Sequence, residues 1–396
     1  MSNNTEVIVI GGGYAGVMAA NRLTQRADVS VTLINPRASF VERIRLHQLA
    51  VGSDDAVVAF ADVLAERVRL VVDTVTGIDA AARNLTLATG ATLGYDYLIY
   101  AVGSGSADPQ VPGAAEFAYP LADFEEARRL RPALDAVPAT GVVTVVGSGA
   151  TGLETATELA EQGRSVTLVC GAILAPSLHP RGRRSVAKRL AALGVTVLAG
   201  GGAKVTTVTR DSVHLADGRI LPSALTIWTV GFGVPDLALR SGLRTDALGR
   251  LRTDETLTSV DDPRILAAGD SAAPSELPFR MSCQSATRIG AHAADTVLHR
   301  IAGEPAVDIN LGFFGQCISL GRERGIFQFA ARDDTPVRWY LGGGLGAKVK
   351  ELVCRATIKH LAAEAATPGA LTWVKDDKRA ALLRPNETAE ARLSRA

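Results

Sequence analysis

An α/β fold built on two Rossmann-like βαβ units is what the 396-residue chain predicts, from two glycine-rich turns, the apolar run before each, and the helical pattern after each. The turns are GGGYAG at 11–16 and GSGATG at 147–152. Val7 to Ile10 is a continuous apolar run, as expected of a parallel strand covered on both faces, and it runs straight into the first turn. There Gly11 permits the tight bend, Gly13 lets the backbone approach a pyrophosphate, and Gly16 lets the following helix, from about Ala15 to Gln25, pack closely on the strand. Tyr14 and Ala15 open that helix, whose free N–H groups and positive dipole end suit a phosphate. The second unit repeats the pattern with strand Val142 to Val146, glycines Gly147, Gly149 and Gly152, and a helix from about Thr151 to Gln162. Val29 to Ile34 and Ser165 to Val169 then supply the second strand of each unit. One such glycine pattern is a weak signal, whereas two in full βαβ context are specific. A chain that binds two dinucleotides is suited to passing electrons between them.

The length suits two or three domains. A net charge of +1 with acids and bases intermixed provides no field for nucleic acid, so no nucleic-acid partner is expected. Val7 to Ala20 is free of charge, but Glu6 precedes it, it has no basic flank, and its glycines belong to the turn. No run approaches a membrane span, and the expected location is cytoplasmic. Cys170, Cys283, Cys317 and Cys354 are widely spaced and form no CxxC pair, so neither a metal site nor a redox disulfide is signalled. Each reads as a small buried apolar residue.

Three further segments complete the pattern. YDYLIYAVGS (95–104) and TIWTVGFGVP (226–235) each read as a strand running into a glycine turn, at Gly103 and Gly231. RILAAGDSA (264–272) is an apolar strand ending in Gly269-Asp270. In this order and spacing, over roughly residues 5–330, the chain resembles the flavoproteins with two dinucleotide-binding domains: type II NADH dehydrogenases, apoptosis-inducing-factor-like quinone reductases, ferredoxin reductases and disulfide reductases. The resemblance implies an FAD domain at 1–115 and 251–307, an NAD(P)H domain inserted at 116–250, and a C-terminal α+β region at 308–396. It further implies that Gly11, Gly13, Tyr14, Ala15, Gly16, Gly103, Gly269 and Asp270 hold FAD, with the Asp270 carboxylate on the ribityl chain. Gly147, Gly149, Gly152 and Gly231 fall to NADH or NADPH, and Glu154 matches a glutamate the family keeps near the nicotinamide and flavin rings.

Placement within the family depends on departures from its pattern. Where disulfide reductases carry their cysteine pair, this chain reads SFVERIRLHQLA (39–50). Arg43, His47 and Gln48 are its polar groups; a cation such as Arg43 near the flavin would favour the anionic reduced form, and the alternative is three solvated positions on a helix. RMSCQSATRIGAHAADTVL (280–298) resembles the helix whose N-terminus, here near Cys283 and Gln284, faces the flavin in the type II branch. The glutamine pair bordering the quinone channel there is replaced by Arg288-Ile289. Asn35 stands where an acid normally grips a ribose, and Cys170-Gly171 holds the equivalent place in the second unit, leaving NADH and NADPH both open.

The C-terminal region predicts a helix over 347–365 with Val349, Leu352, Val353 and Ala356 on one side and Lys348, Lys350, Arg355 and Lys359 spread elsewhere. Such a helix suits peripheral membrane contact, a cover over the flavin domain, or a homodimer contact. The segment after Lys375 is charged, with Leu382 and Leu383 as its large apolar groups, and reads as mobile. The expected chemistry is hydride transfer from NAD(P)H to flavin N5, then reduction of a quinone or quinone-like small molecule, with Glu154, Gln284 and Arg43 as the catalytic candidates. A ferredoxin-type protein acceptor, a dedicated metabolite and a slow redox-sensing role are the alternatives.

Overall fold

The computed structural model describes residues 4–383. Its first sheet has five parallel strands in the order Ile265–Ala267, Tyr97–Tyr100, Thr5–Ile10, Val29–Asn35, Arg69–Val72. Its second repeats the arrangement with Ala118–Pro120, Leu225–Trp228, Val142–Val146, Ser165–Val169, Thr196–Leu198. The strand feeding a glycine turn is central in both. That position explains the unbroken apolar runs, because a central parallel strand covered by helices has no solvated face. Val7, Val9, Val143 and Val145 are fully buried accordingly. The first sheet regains its outermost strand only at Ile265–Ala267, so the second unit is an insertion in the first.

Each parallel sheet is accompanied by a three-stranded antiparallel one, Val75–Asp79, Asn84–Leu87 and Thr92–Gly94 in the first unit and Val205–Val208, Ser212–Leu215 and Ile220–Pro222 in the second. Beyond the turns at Gly103 and Gly231, both with positive φ, Gly105–Ser106 pairs antiparallel with Phe232–Gly233. The chain therefore enters and leaves the second unit along one short ribbon. Leu237, Ala238 and Leu243 then pack in the first core.

The helices after the turns are Tyr14–Leu23 and Ala150–Glu161, within two residues of the spans predicted at each end. The helix Cys283–Ala302 lies along the first of them, and a methyl on Gly290 would collide with the backbone of Ala15.

The C-terminal region is a three-stranded antiparallel sheet, Gly315–Ser319, Gly325–Ala330 and Pro336–Gly342, followed by the helix Gly343–Ala366. That helix starts four residues before the predicted 347, and within its first turn Gly346 sits against the Gly325 carbonyl, a contact that leaves no room for a side chain. The predicted facing of its residues needs correction. The inward side carries Cys354, Thr357, Leu361 and Glu364, while Leu352 is 65 % exposed. Lys350, read as one of the dispersed surface cations, also points inward, with a side chain 12 % exposed. The inner side is polar because buried acids wait for it: Glu154 meets Lys350, and Glu364 accepts from Arg22 of the first glycine-turn helix. The segment after Lys375, expected to be mobile, is held as far as it is described. Lys378–Leu383 is a short helix, and Arg379 donates through Nε and Nη2 to Glu255 at 2.6 and 2.8 Å. Residues 384–396 lie outside the described part.

Candidate functional site

The two glycine turns are built alike. Gly11 and Gly147 have φ of +100° and +110°, where a side chain is strained. A methyl on Gly16 would collide with the Gly11 carbonyl, and one on Gly152 with the Gly147 carbonyl, so the third glycine of each turn lets helix and strand touch. Gly13 and Gly149 differ: an added Cβ would meet nothing within 4 Å at either. Both are N-caps without a side-chain hydrogen bond, so the first N–H groups of each helix are free for a ligand at an open approach. Asn35, expected beside a ribose, spends its amide on the turn itself: Oδ1 accepts from Gly12 N–H at 2.9 Å and Nδ2 donates to the Arg37 carbonyl at 2.8 Å.

Between the turns lies a cavity of about 510 Å³, walled also by the Arg43 turn, the start of the Cys283–Ala302 helix, the strand Gly315–Ser319 and the helix Gly343–Ala366. Tyr14, Arg43, Gly149, Glu154, Asp270, Cys283 and Gln284 among the expected residues reach it. Arg43 Nη1 donates to Ser104 Oγ at 2.9 Å and lies 3.4 Å from Asp270 Oδ2, while Nη2 donates to the Ala122 carbonyl at 2.9 Å. Ser104 Oγ also donates to Asp270 Oδ2, at 2.7 Å. The cation at this wall is thus anchored to the Gly-Asp turn, and the reading of Arg43 as a solvated helix position is set aside. His47 and Gln48 are not solvated either, at 3 and 2 % exposure, because their short helix Leu46–Val51 is wedged between the Ala150–Glu161 helix and the neighbouring Phe124–Asp135 helix.

A buried polar chain sits at the other wall. Glu154 Oε1 is 2.8 Å from Lys350 Nζ and accepts from the Ser319 N–H at 3.0 Å. His47 Nδ1 is 3.5 Å from Glu154, and its Nε2 is 3.5 Å from Glu158, which accepts from the exposed Ser53 hydroxyl. Burial alone would raise the Glu154 carboxyl, but Lys350 and His47 outweigh it and hold it below the usual range. Burial would likewise discharge Lys350, yet Glu154 keeps its ammonium well above the ordinary lysine value. His47 has no such surplus of support, and burial pushes it down to about 4.

A pH dependence follows. Because the folded value of about 4 lies below the ordinary 6.5, the unfolded chain takes up a proton that the folded chain refuses as the pH falls through that interval. Stability should therefore drop by about 2 to 3 kcal/mol between neutral pH and about pH 4 on account of His47, and level off below it. Denaturant unfolding of wild type and His47→Gln across that range should show the difference, with the variant lacking this component. Parallel pH curves for the two proteins would contradict it.

Three of the four cysteines, Cys283, Cys317 and Cys354, reach the cavity. All are free, and Cys354 alone is fully buried, so the uniform buried reading holds for one of them. Burial pushes Cys317 up to about 12 and Cys354 to about 11, so they line the cavity as neutral thiols. Sequence reasoning missed Lys350, Ser319, Cys317 and Cys354 as site residues, since all lie beyond the second glycine unit and follow no recognisable spacing.

The residues present fit FAD. The open backbone at Gly13, the uncapped N–H groups behind it, a polar Arg43–Ser104–Asp270 cluster and an adjoining apolar cavity match a pyrophosphate, a polyol chain and a flat ring. Tyr14 Oη and Gln284 Nε2 are buried without partners. Comparison with known proteins agrees with that geometry. The chain is 29 % identical over 353 residues to an NADH dehydrogenase-like protein of Mycobacterium tuberculosis, covering 82 % of this chain and 87 % of that one. It is 28 % identical to a type II NADH:quinone oxidoreductase of the same organism, covering 75 % of this chain and 73 % of that one. Its fold matches the crystal structure of the sulfide:quinone oxidoreductase of Aquifex aeolicus with a TM-score of 0.79, at 19 % identity, over 92 % of this chain and 93 % of the other. The pattern of the pyridine nucleotide-disulphide oxidoreductases matches residues 5–293, and the chain belongs to that family as an FAD-dependent NAD(P)H oxidoreductase.

Proposed function

We propose that the protein oxidises NADH through bound FAD and reduces a quinone or quinone-like aromatic that enters the cavity beside the Cys283–Ala302 helix. The observation that carries this reading is the placement of one cavity against both glycine turns, with a third wall from the C-terminal region. In this reading residues 1–115 and 251–307 carry FAD, held at Gly13 and Gly16 and by Asp270, and residues 116–250 carry NADH at Gly149 and Gly152. The quinone acceptors named for the mycobacterial relative and the Aquifex protein support the choice of acceptor. FAD, when bound, supplies two-electron chemistry between nucleotide and acceptor.

The protein's own side chains do the rest. The helix beginning at Cys283 directs its positive end at the cavity and favours negative charge there. Arg43, fixed by Ser104 and Asp270, adds a cation that needs no rearrangement. Lys350 keeps its proton at Nζ in the cavity wall, next to where an acceptor oxygen would gain charge. Glu154, His47, Glu158 and Ser53 connect that wall to the surface through polar atoms. On the outside of the C-terminal region Trp339, Leu345 and Leu352 are exposed, as are Lys348, Arg355 and Lys359, a composition suited to resting on an anionic membrane.

Anaerobic stopped-flow mixing with NADH, followed by a soluble quinone, tests the proposal. Bleaching near 450 nm by NADH with reoxidation by quinone is expected. A flavin that NADH leaves oxidised would overturn the donor, and bleaching without reoxidation would overturn the acceptor.

A further inference from the structure

Of the cations that reach the cavity, three have an acid. Arg43 has Asp270 at 3.4 Å, Arg280 has Asp334 at 3.1 Å, and Lys350 has Glu154 at 2.8 Å. Arg288 has none among the described residues. Its Nη1 donates to the Gln284 carbonyl one turn earlier, and its Nε is buried without a partner. Gly290 faces Ala15, so Arg288, two residues before it, projects from the opposite side of the helix, away from the first glycine turn. The C-terminal helix lines the same cavity at Val353, Ala356, Thr357 and His360.

A guanidinium taken out of water without an opposite charge is costly, and burial holds this one below its ordinary range. A cation in the cavity wall with no acid of its own among the described residues points to an anion supplied from outside. A carboxylate matches it, since its charge completes the pairing that Arg43, Arg280 and Lys350 already have. Phe314, Phe327 and Val353 in the same lining offer apolar walls for a ring.

We infer that Arg288 recognises a carboxylate on the electron acceptor, so that the substrate is an aromatic, quinone-like acid rather than a neutral lipid quinone. This rests on the reading that the acceptor enters this cavity. It makes Arg288 a specificity-determining residue at the position where a neutral side chain would leave the pocket indifferent to charge.

The test uses the flavin-loaded protein and two redox-inert probes, 2-naphthoate and its methyl ester, titrated against the absorption spectrum of the oxidised flavin. Naphthoate should bind wild type ~10- to 100-fold more tightly than the ester, a difference of the size expected for hydrogen bonds to a charged group. Arg288→Gln should abolish that preference, and Arg288→Lys, which keeps the charge but not the fork, should retain part of it. Flavin content of each variant separates loss of recognition from loss of fold. Equal binding of acid and ester by wild type, or equal weakening of both by Arg288→Gln, would overturn the inference. A preference for naphthoate in a protein whose reduced flavin no quinone reoxidises would leave the anion site standing and remove the quinone reading. Turnover of quinones without any preference for the acid would do the reverse.

Discussion

Lys350→Met should cost about 3 to 5 kcal/mol of folding stability, the range for breaking one side of a buried ion pair. The ammonium lies 2.8 Å from Glu154, with side chains 12 and 6 % exposed, and methionine fills similar volume without charge. What remains is a buried carboxylate supported by His47 at 3.5 Å and the Ser319 N–H at 3.0 Å, neither of which brings a permanent positive charge. Its value should rise, because burial, already the largest influence on it, then loses its main opponent in Lys350. Adding Glu154→Gln should recover most of the stability, since the pair removed together leaves no uncompensated charge. Urea unfolding of the two single variants and the double gives the coupling directly. A loss below about 1 kcal/mol for Lys350→Met would mean the pair is solvated in solution and not the buried contact described here. The same variant should slow reoxidation of the reduced flavin by quinone more than its reduction by NADH, since the lysine faces the acceptor side of the proposal.

Alanine at the third glycine of each turn should separate the two nucleotides. In Gly16→Ala the new methyl meets the Gly11 carbonyl, and in Gly152→Ala it meets both the Gly147 carbonyl and Thr229 Oγ1. Neither helix can keep its place on its strand, and the N–H groups aimed at a pyrophosphate move with it. Gly16→Ala is expected to purify colourless. Gly152→Ala is expected to purify yellow, with NADH bleaching the flavin only at nucleotide concentrations raised ~100-fold or more, the scale of losing several charge-assisted hydrogen bonds to phosphate. The ratio of flavin to protein absorbance and the concentration dependence of bleaching report the two losses separately. A colourless Gly152→Ala with a yellow Gly16→Ala would exchange the assignments.

The glycine turns were legible in the sequence because their constraints are local. Positive φ at Gly11 and the touching of helix and strand at Gly16 are decided within six residues, and nothing distant overrides them. The parallel strands were equally legible, since burial on both faces leaves an unbroken apolar run. Lys350 was not, because its burial depends on an acid nearly two hundred positions earlier that meets it only after both units and the C-terminal region are assembled. Its own helix carries a weak amphipathic pattern, and a lysine next to Glu351 there reads as surface. Asn35 was recognised as unusual, but its bond to the Gly12 N–H belongs to the shape of the turn and follows no motif. Between Lys375 and Leu383 composition misled: Arg379 is charged, yet it pairs with Glu255, which is 12 % exposed.

The ribbon of Gly105–Ser106 against Phe232–Gly233 makes the second unit, topologically, a loop whose two feet are adjacent. A segment of more than a hundred residues could thus be lifted out and another of its kind grafted in without disturbing the register of the strand pairs on either side, so under the proposed assignment of NADH to this unit the choice of reductant would behave as a cartridge. The graft is restricted elsewhere than at its feet. Leu46, Ile318 and Ile326 pack in the core of the inserted unit although they come from outside it. Any replacement must present them with a matching apolar face, and that requirement, more than the splice points, determines which relatives are exchangeable.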